Sequence, residues 1–181
     1  MDTYELKFTQ LQLEIFRLFC VKTGGKLNQR QIAKFLNVTP TAVAKALPLL
    51  EKEKLIIIKK SKEMNLNLVE LNREENRTIN LKKVENLKVF YESDLLEFLK
   101  ENFPACTIIL FGSYAKGEDT IKSDIDLAII GSNNKKLNIK KYESKLEKEI
   151  RINCYKKFKE IHKDLMENLC NGIVLSGGIE L

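Results

Sequence analysis

The sequence predicts two domains joined by a helical connector: a first domain of three helices and a β-hairpin, mostly α, and a second, α/β domain on a mixed sheet. Three observations carry this. Apolar residues recur at helical spacing as far as Leu50, and two short β-type runs then follow around a polar turn. Asn72 to Asn80 is polar and has no clear period, which marks a linker. Beyond it, strand-like runs at about 107–111, 124–130 and 150–155 are interleaved with helix-like segments near 113–117, 138–149 and 158–171. The expected boundaries are therefore 1–72, a connector over 73–103, and 104–181.

In the first domain, Leu11, Ile15, Leu18 and Phe19 fall on one helical face, and Gly24-Gly25 ends that helix. Asn28 is a good cap for a second helix that should bury Ile32, Phe35 and Leu36. Thr39-Pro40 opens a third helix with cap and N1 proline in the favoured order, and Val43, Leu47 and Leu50 form its inner stripe. Pro48 should kink or loosen that helix, at about 3 kcal/mol against alanine. Leu55–Ile58 and Leu66–Leu68 read as two strands around the turn Ser61-Lys62-Glu63.

In the connector, Leu81, Val84, Leu87, Tyr91, Leu95 and Phe98 recur at helical spacing behind a capping Asn80. The helix is either one rod or breaks near Glu92-Ser93-Asp94. Asn102-Phe103-Pro104 stops it. In the second domain, Gly172 to Leu175 closes the fold as a short strand or an extended tail.

Composition narrows the function. A hydrophobic content of 44% argues against wholesale disorder, and no apolar run approaches a membrane span. A cytoplasmic protein is the expectation. The four cysteines lack Cys-x-x-Cys spacing and read as small core residues, while the single histidine, His162, leaves little material for a zinc site or a Ser-His-Asp triad. Net charge is +6. Residues 1–71 hold twelve lysines and arginines against seven carboxylates, so the excess lies where a polyanionic partner would bind.

The most informative stretch is Gly112-Ser113-Tyr114-Ala115-Lys116-Gly117, followed by Ser123-Asp124-Ile125-Asp126-Leu127. An apolar strand feeds a glycine turn, and a second strand carries carboxylates at i and i+2, on one face of a sheet. Two adjacent carboxylates suit a hard cation such as Mg²⁺. Free backbone N–H groups at the turn suit phosphate. Lys116 reads as a solvated surface residue.

This order and spacing resemble the minimal nucleotidyltransferases of the DNA polymerase β superfamily, over about residues 103–181. The resemblance implies that Gly112 and Ser113 bind a nucleoside triphosphate, with ATP expected. It implies that Asp124 and Asp126 hold Mg²⁺ and are catalytic, and that a nucleoside monophosphate passes to an acceptor hydroxyl. That family carries a third carboxylate on a later strand. The register that fits puts Asn153 there, with Glu149 a weak substitute on the same face as Arg151. An amide brings neither charge nor useful basicity. A transcription regulator whose C-terminal domain binds nucleotide or partners without catalysis is therefore the alternative. Family members of this size often act beside a small helical partner protein.

The string LNQRQIAKFLNVTPTAVAKALPLLEKEKLIII resembles winged helix-turn-helix transcription regulators over about residues 8–71. That resemblance implies binding to double-stranded DNA, with Thr39, Thr41, Ala42 and Lys45 facing the major groove and Lys59, Lys60 and Lys62 on the wing. It also implies a homodimer.

Overall fold

The computed structural model describes residues 7–60 and 66–179 and divides into two compact units, Met1–Thr78 and Ile79–Leu181. In the first, α1 (Gln10–Val21), α2 (Gln29–Leu36) and α3 (Pro40–Lys52) are followed by β2 (Ile56–Lys60) and β3 (Asn67–Leu71). The turn 61–63, with Lys62, lies outside the described residues. A two-residue strand, β1 (Leu27–Asn28), pairs with β3 and completes a sheet of order β1-β3-β2. It is too short to leave a period in the sequence. This is the order of a winged helix-turn-helix.

Each helix starts where its cap says. Thr9 and Asn28 form reciprocal capping boxes with Gln12 and Gln31, and the Thr39 hydroxyl accepts the Ala42 N–H at 3.2 Å. Ile15, Phe19, Ile32, Val43, Leu50 and Val69 are fully buried at the centre of this unit.

One expectation fails here. Phe35 is 56% exposed, with the Lys22 ammonium 5.7 Å above its ring, because α2 is eight residues long and Ile32 and Ala33 form its inner face. Pro48 does not end its helix. Its ring faces solvent while Leu47 and Leu50 anchor the turn on either side, and α3 runs on to Lys52.

The proposed linker is also partly helix, because α4 (Asn76–Glu92) starts at Asn76. Chain connectivity carries α4 from the first unit into the second. It breaks where one of the two readings placed the break. Ser93 Oγ donates to the Phe90 carbonyl at 2.6 Å and accepts the Leu95 N–H, Asp94 is left-handed at φ 65°, and α5 (Leu95–Asn102) begins anew.

The second unit is built on β4 (Thr107–Phe111), β5 (Ile125–Ile130), β6 (Ile150–Tyr155) and β7 (Ile173–Ser176), in the order β6-β5-β4-β7. Only β5 and β6 run parallel, so the sheet is mixed. One face, with Ile108, Leu110, Leu127 and Ile129, packs on α5 and on α7 (Lys140–Leu146). The other, with Ile109, Phe111 and Ala128, packs beneath a 3-10 turn at Phe158–Glu160 and α8 (Lys163–Cys170). The predicted last helix is thus split, and Cys170 is exposed rather than in the core.

The connector stripe is the largest correction. Val84 and Tyr91 are 61% and 50% exposed, while Thr78, Lys82, Asn86 and Phe90 are buried on the opposite, largely polar face. Among the described residues, no helix is long and apolar enough to cross a membrane.

Candidate functional site

At the end of β4, Phe111 is extended and Gly112 turns to φ +75° to open α6 (Gly112–Lys116). Phe111 lies opposite Asp126 in the antiparallel register, so the turn closes over that carboxylate. A Cβ at Gly112 would stand 2.6 Å from Asp126 Oδ2. Two independent constraints therefore demand glycine: the left-handed backbone and the carboxylate behind it. Gly112→Ala should displace the Asp126 carboxylate and destabilise the C-terminal unit by about 1–3 kcal/mol, the scale of a residue held in a disfavoured backbone region. A urea melt beside wild type checks this.

Asp126 lies on β5 and Asp124 immediately before it, two residues apart and on one side of the sheet. This is the side of Phe111 and Ala128, at the edge of the cover made by α8. Burial, and then the charge of Asp124, push the Asp126 carboxyl above the usual aspartate value, partly offset by Arg151. Ser113 is half-buried beside the turn, and Lys116 is exposed.

The parallel register of β5 and β6 sets Asp126 against Arg151 and Ala128 against Asn153. Asn153 therefore does not flank the carboxylate pair. Arg151 does, with Nη1 at 2.9 Å from Asp124 Oδ2 and Nε at 3.7 Å from the exposed Glu149. Alternation along β6 could show that these residues share a face. It could not show which of them meets Asp126.

No group of three or more histidine, cysteine or acidic side chains suited to a metal occurs among the described residues. Two hard carboxylates fit a Mg²⁺ ion whose other ligands come from substrate phosphates and water, the usual arrangement for that ion. The Asp126 carboxyl is raised first by burial and only then by the charge of Asp124, and a cation would relieve the second of these.

Residues 92–175 match the family model described as a nucleotidyltransferase domain. The match spans a little under half of this chain and includes the whole Gly-Ser turn and the carboxylate pair. No curated protein matches the chain. Among solved structures, the zinc-responsive MarR family member ZitR of Lactococcus lactis is 21% identical, covering 56% of this chain and 67% of its own, at a TM-score of 0.41. The adhesin competence repressor AdcR of Streptococcus pyogenes is 21% identical, over 57% of this chain and 72% of that one, at 0.43. MepR of S. aureus, in a DNA complex, is 23% identical, over 52% and 74%, at 0.39. Likenesses of that extent carry no inference for this chain.

The C-terminal unit has a second polar centre that the sequence reading missed. Asp119, in the loop between α6 and β5, is fully buried. It bonds Lys82 of α4, and it accepts the Asn86 side-chain N–H at 2.7 Å. Lys148 Nζ lies 3.0 Å from Asp119 Oδ2, out of line for a directed hydrogen bond, so the attraction there is one of charge. Asn86 also donates to the Tyr114 carbonyl at 3.0 Å, and the Tyr114 hydroxyl donates back to the Asn86 carbonyl. Lys148 Nζ donates to the Thr120 carbonyl at 2.6 Å.

α4 is thereby tied to Tyr114 and Asp119, between the Gly112-Ser113 turn and Asp124. Gly117, at φ +78°, completes the seam: a Cβ there would meet the Ile79 carbonyl at 2.5 Å and the Lys83 N–H nitrogen at 2.9 Å. Burial, and then the charge of Asp119, hold the Tyr114 hydroxyl well above its usual range.

In the winged-helix unit, Thr41 and Lys45 are exposed one turn apart on α3, and Ala42 is half-buried. Thr39 is exposed, but its hydroxyl is engaged as the cap. On the wing, Lys59 is bound to Glu70 at 2.7 Å, whereas Lys60 joins Arg30 and Lys34 around an open cavity of about 750 Å³.

Proposed function

We propose that the C-terminal unit binds a Mg²⁺–nucleoside triphosphate, with ATP expected, and transfers a nucleoside monophosphate to an acceptor hydroxyl. The observation that carries this is the closure of the Gly112 turn over Asp126, which joins a phosphate-type turn and a carboxylate pair in one unit. Asp124 and Asp126 would hold the cation, and the Gly112-Ser113 turn would hold the departing phosphates. A bound Mg²⁺ would offset the charge that develops on the phosphoryl oxygens. The acceptor hydroxyl would attack the α-phosphorus in line and release its proton to solvent, while the bond from the α-phosphorus to the oxygen bridging the α- and β-phosphates breaks and pyrophosphate leaves. Most of the rate would come from positioning and electrostatics. Labelled-nucleotide transfer to copurifying protein and nucleic-acid acceptors tests the proposal. Equal transfer by wild type and by Asp124→Ala/Asp126→Ala would end it.

A second reading keeps nucleotide binding without turnover. Arg151 favours it, since a guanidinium stands in register with Asp126 where a proton acceptor would be needed. Product formation separates the two readings. A small helical partner protein is the acceptor or companion we would seek first, by mass spectrometry for a nucleotide adduct.

For the N-terminal unit we propose double-stranded DNA binding, as a homodimer, with Thr39 and Thr41 toward the groove and Lys45, Lys60 and Lys62 toward phosphate. Affinity should fall steeply with salt through counterion release. Replacing Lys45 or Lys60 with alanine should lower the salt slope by about one. The same change at Lys59 should lower it less, because Glu70 already holds that ammonium. Fluorescence anisotropy across a salt series measures all three.

A further inference from the structure

We infer that Arg151 is a tethered counter-ion of the carboxylate pair, which a divalent cation must displace from Asp124 and which then engages the phosphates of the nucleotide bound there. The inference rests on the metal–nucleotide reading of this site. Three observations carry it. The β5–β6 register fixes the Arg151 backbone beside Asp126. The guanidinium Nη1 lies 2.9 Å from Asp124 Oδ2, so it uses the face of that oxygen pair which a cation would need. The arginine side chain is 57% exposed while Asp124 is 23% exposed, so the guanidinium reaches the carboxylate from solvent and can leave without disturbing the core.

A guanidinium and a divalent cation carry like charge and want the same lone pairs, so one excludes the other. Glu149 Oε1, 3.7 Å from Nε, gives the released side chain only an exposed, screened partner. Phosphate oxygens are the stronger acceptor, because the planar fork of arginine matches them two bonds at a time. Arg151 would then oppose binding of the metal alone and favour binding of the metal together with its nucleotide. The site would hold its cation most tightly when the nucleotide is present.

The test is Mn²⁺ binding to the full chain, read from the electron paramagnetic resonance of free Mn²⁺, alongside titration with Mn²⁺ plus a non-hydrolysable nucleoside triphosphate. For Arg151→Ala we expect Mn²⁺ alone to bind roughly tenfold tighter, about one charge-assisted hydrogen bond's worth. The Mn²⁺–nucleotide complex should bind roughly tenfold weaker. Arg151→Lys, which keeps the charge and loses the fork, should stay near wild type for Mn²⁺ alone and fall for the nucleotide complex. Asp126→Ala should abolish binding of Mn²⁺ in both backgrounds. Unchanged Mn²⁺ affinity in Arg151→Ala, with binding still lost in Asp126→Ala, overturns the inference and leaves the metal site standing. A nucleotide complex that binds Arg151→Ala tighter than wild type also overturns it. Failure of every protein to bind Mn²⁺ overturns the metal-site reading and this inference with it.

Discussion

Asp119→Ala should destabilise the C-terminal unit by about 3–5 kcal/mol, the range found when one partner of a buried ion pair is removed. The variant leaves the buried ammoniums of Lys82 and Lys148 facing a carboxylate that is gone. It also takes an acceptor from Asn86. Hydrogen exchange resolved along the full chain, together with urea melts, would read the loss over residues 79–181 and leave the N-terminal unit close to wild type. Asp119→Asn, which keeps the shape and drops the charge, should lose most of the same stability. A joint replacement of Lys82, Lys148 and Asp119 by apolar residues of similar size should recover much of it. A loss below about 1 kcal/mol for Asp119→Ala, the scale of a surface pair, would mean that the network is not what holds the loop.

Asp126→Asn should act in two opposite directions. Under the proposed function, transfer activity should fall on the order of a thousandfold, as for other losses of transition-state charge stabilisation, because an amide cannot replace the charge that would hold the cation. Stability at neutral pH should rise. Burial and the neighbouring Asp124 raise the Asp126 carboxyl above its ordinary 3.8. Between the unfolded and the raised value the folded chain binds more protons than the unfolded one, so stability declines as pH climbs through that window. At neutral pH the penalty is complete, and the amide removes it. Thermal melts should therefore show the variant above wild type at pH 7, with the gap closing below the unfolded value. A variant no more stable than wild type at pH 7 would contradict the assignment of strain to this carboxylate.

Much of this was legible in the chain. The caps at Asn28 and Thr39 and the carboxylates at i and i+2 are local features, and local features survive translation into coordinates. What sequence could not show is partnership across the fold. Periodicity counts apolar residues, so it turned Val84 and Tyr91 inward. α4 instead buries Lys82 and Asn86 because Asp119, thirty-seven and thirty-three residues on, is there to receive them. Asp119 reads as a solvated turn residue until that helix is placed. Phe35 shows the converse, an apolar side chain at a helical position left outside because a short helix has one narrow inner face. Strand register was hidden for the same reason, which is why Asn153 was set beside the site and Arg151 was not.

The seam between α4 and Asp119 also decides how the molecule can be cut. A fragment that starts at Pro104 would keep the Gly-Ser turn and both site aspartates, yet it would lack Lys82, Asn86 and the Phe90 side chain that lies buried in the same core. Asp119 would keep Lys148 but lose Lys82 and Asn86, and Gly117 would face water in place of the Ile79 carbonyl. Such a piece is expected to be insoluble or loosely folded, whatever its motif promises. A fragment that begins at or before Asn76 brings the helix whole, and with it the internal counter-charges that let the remainder stand by itself.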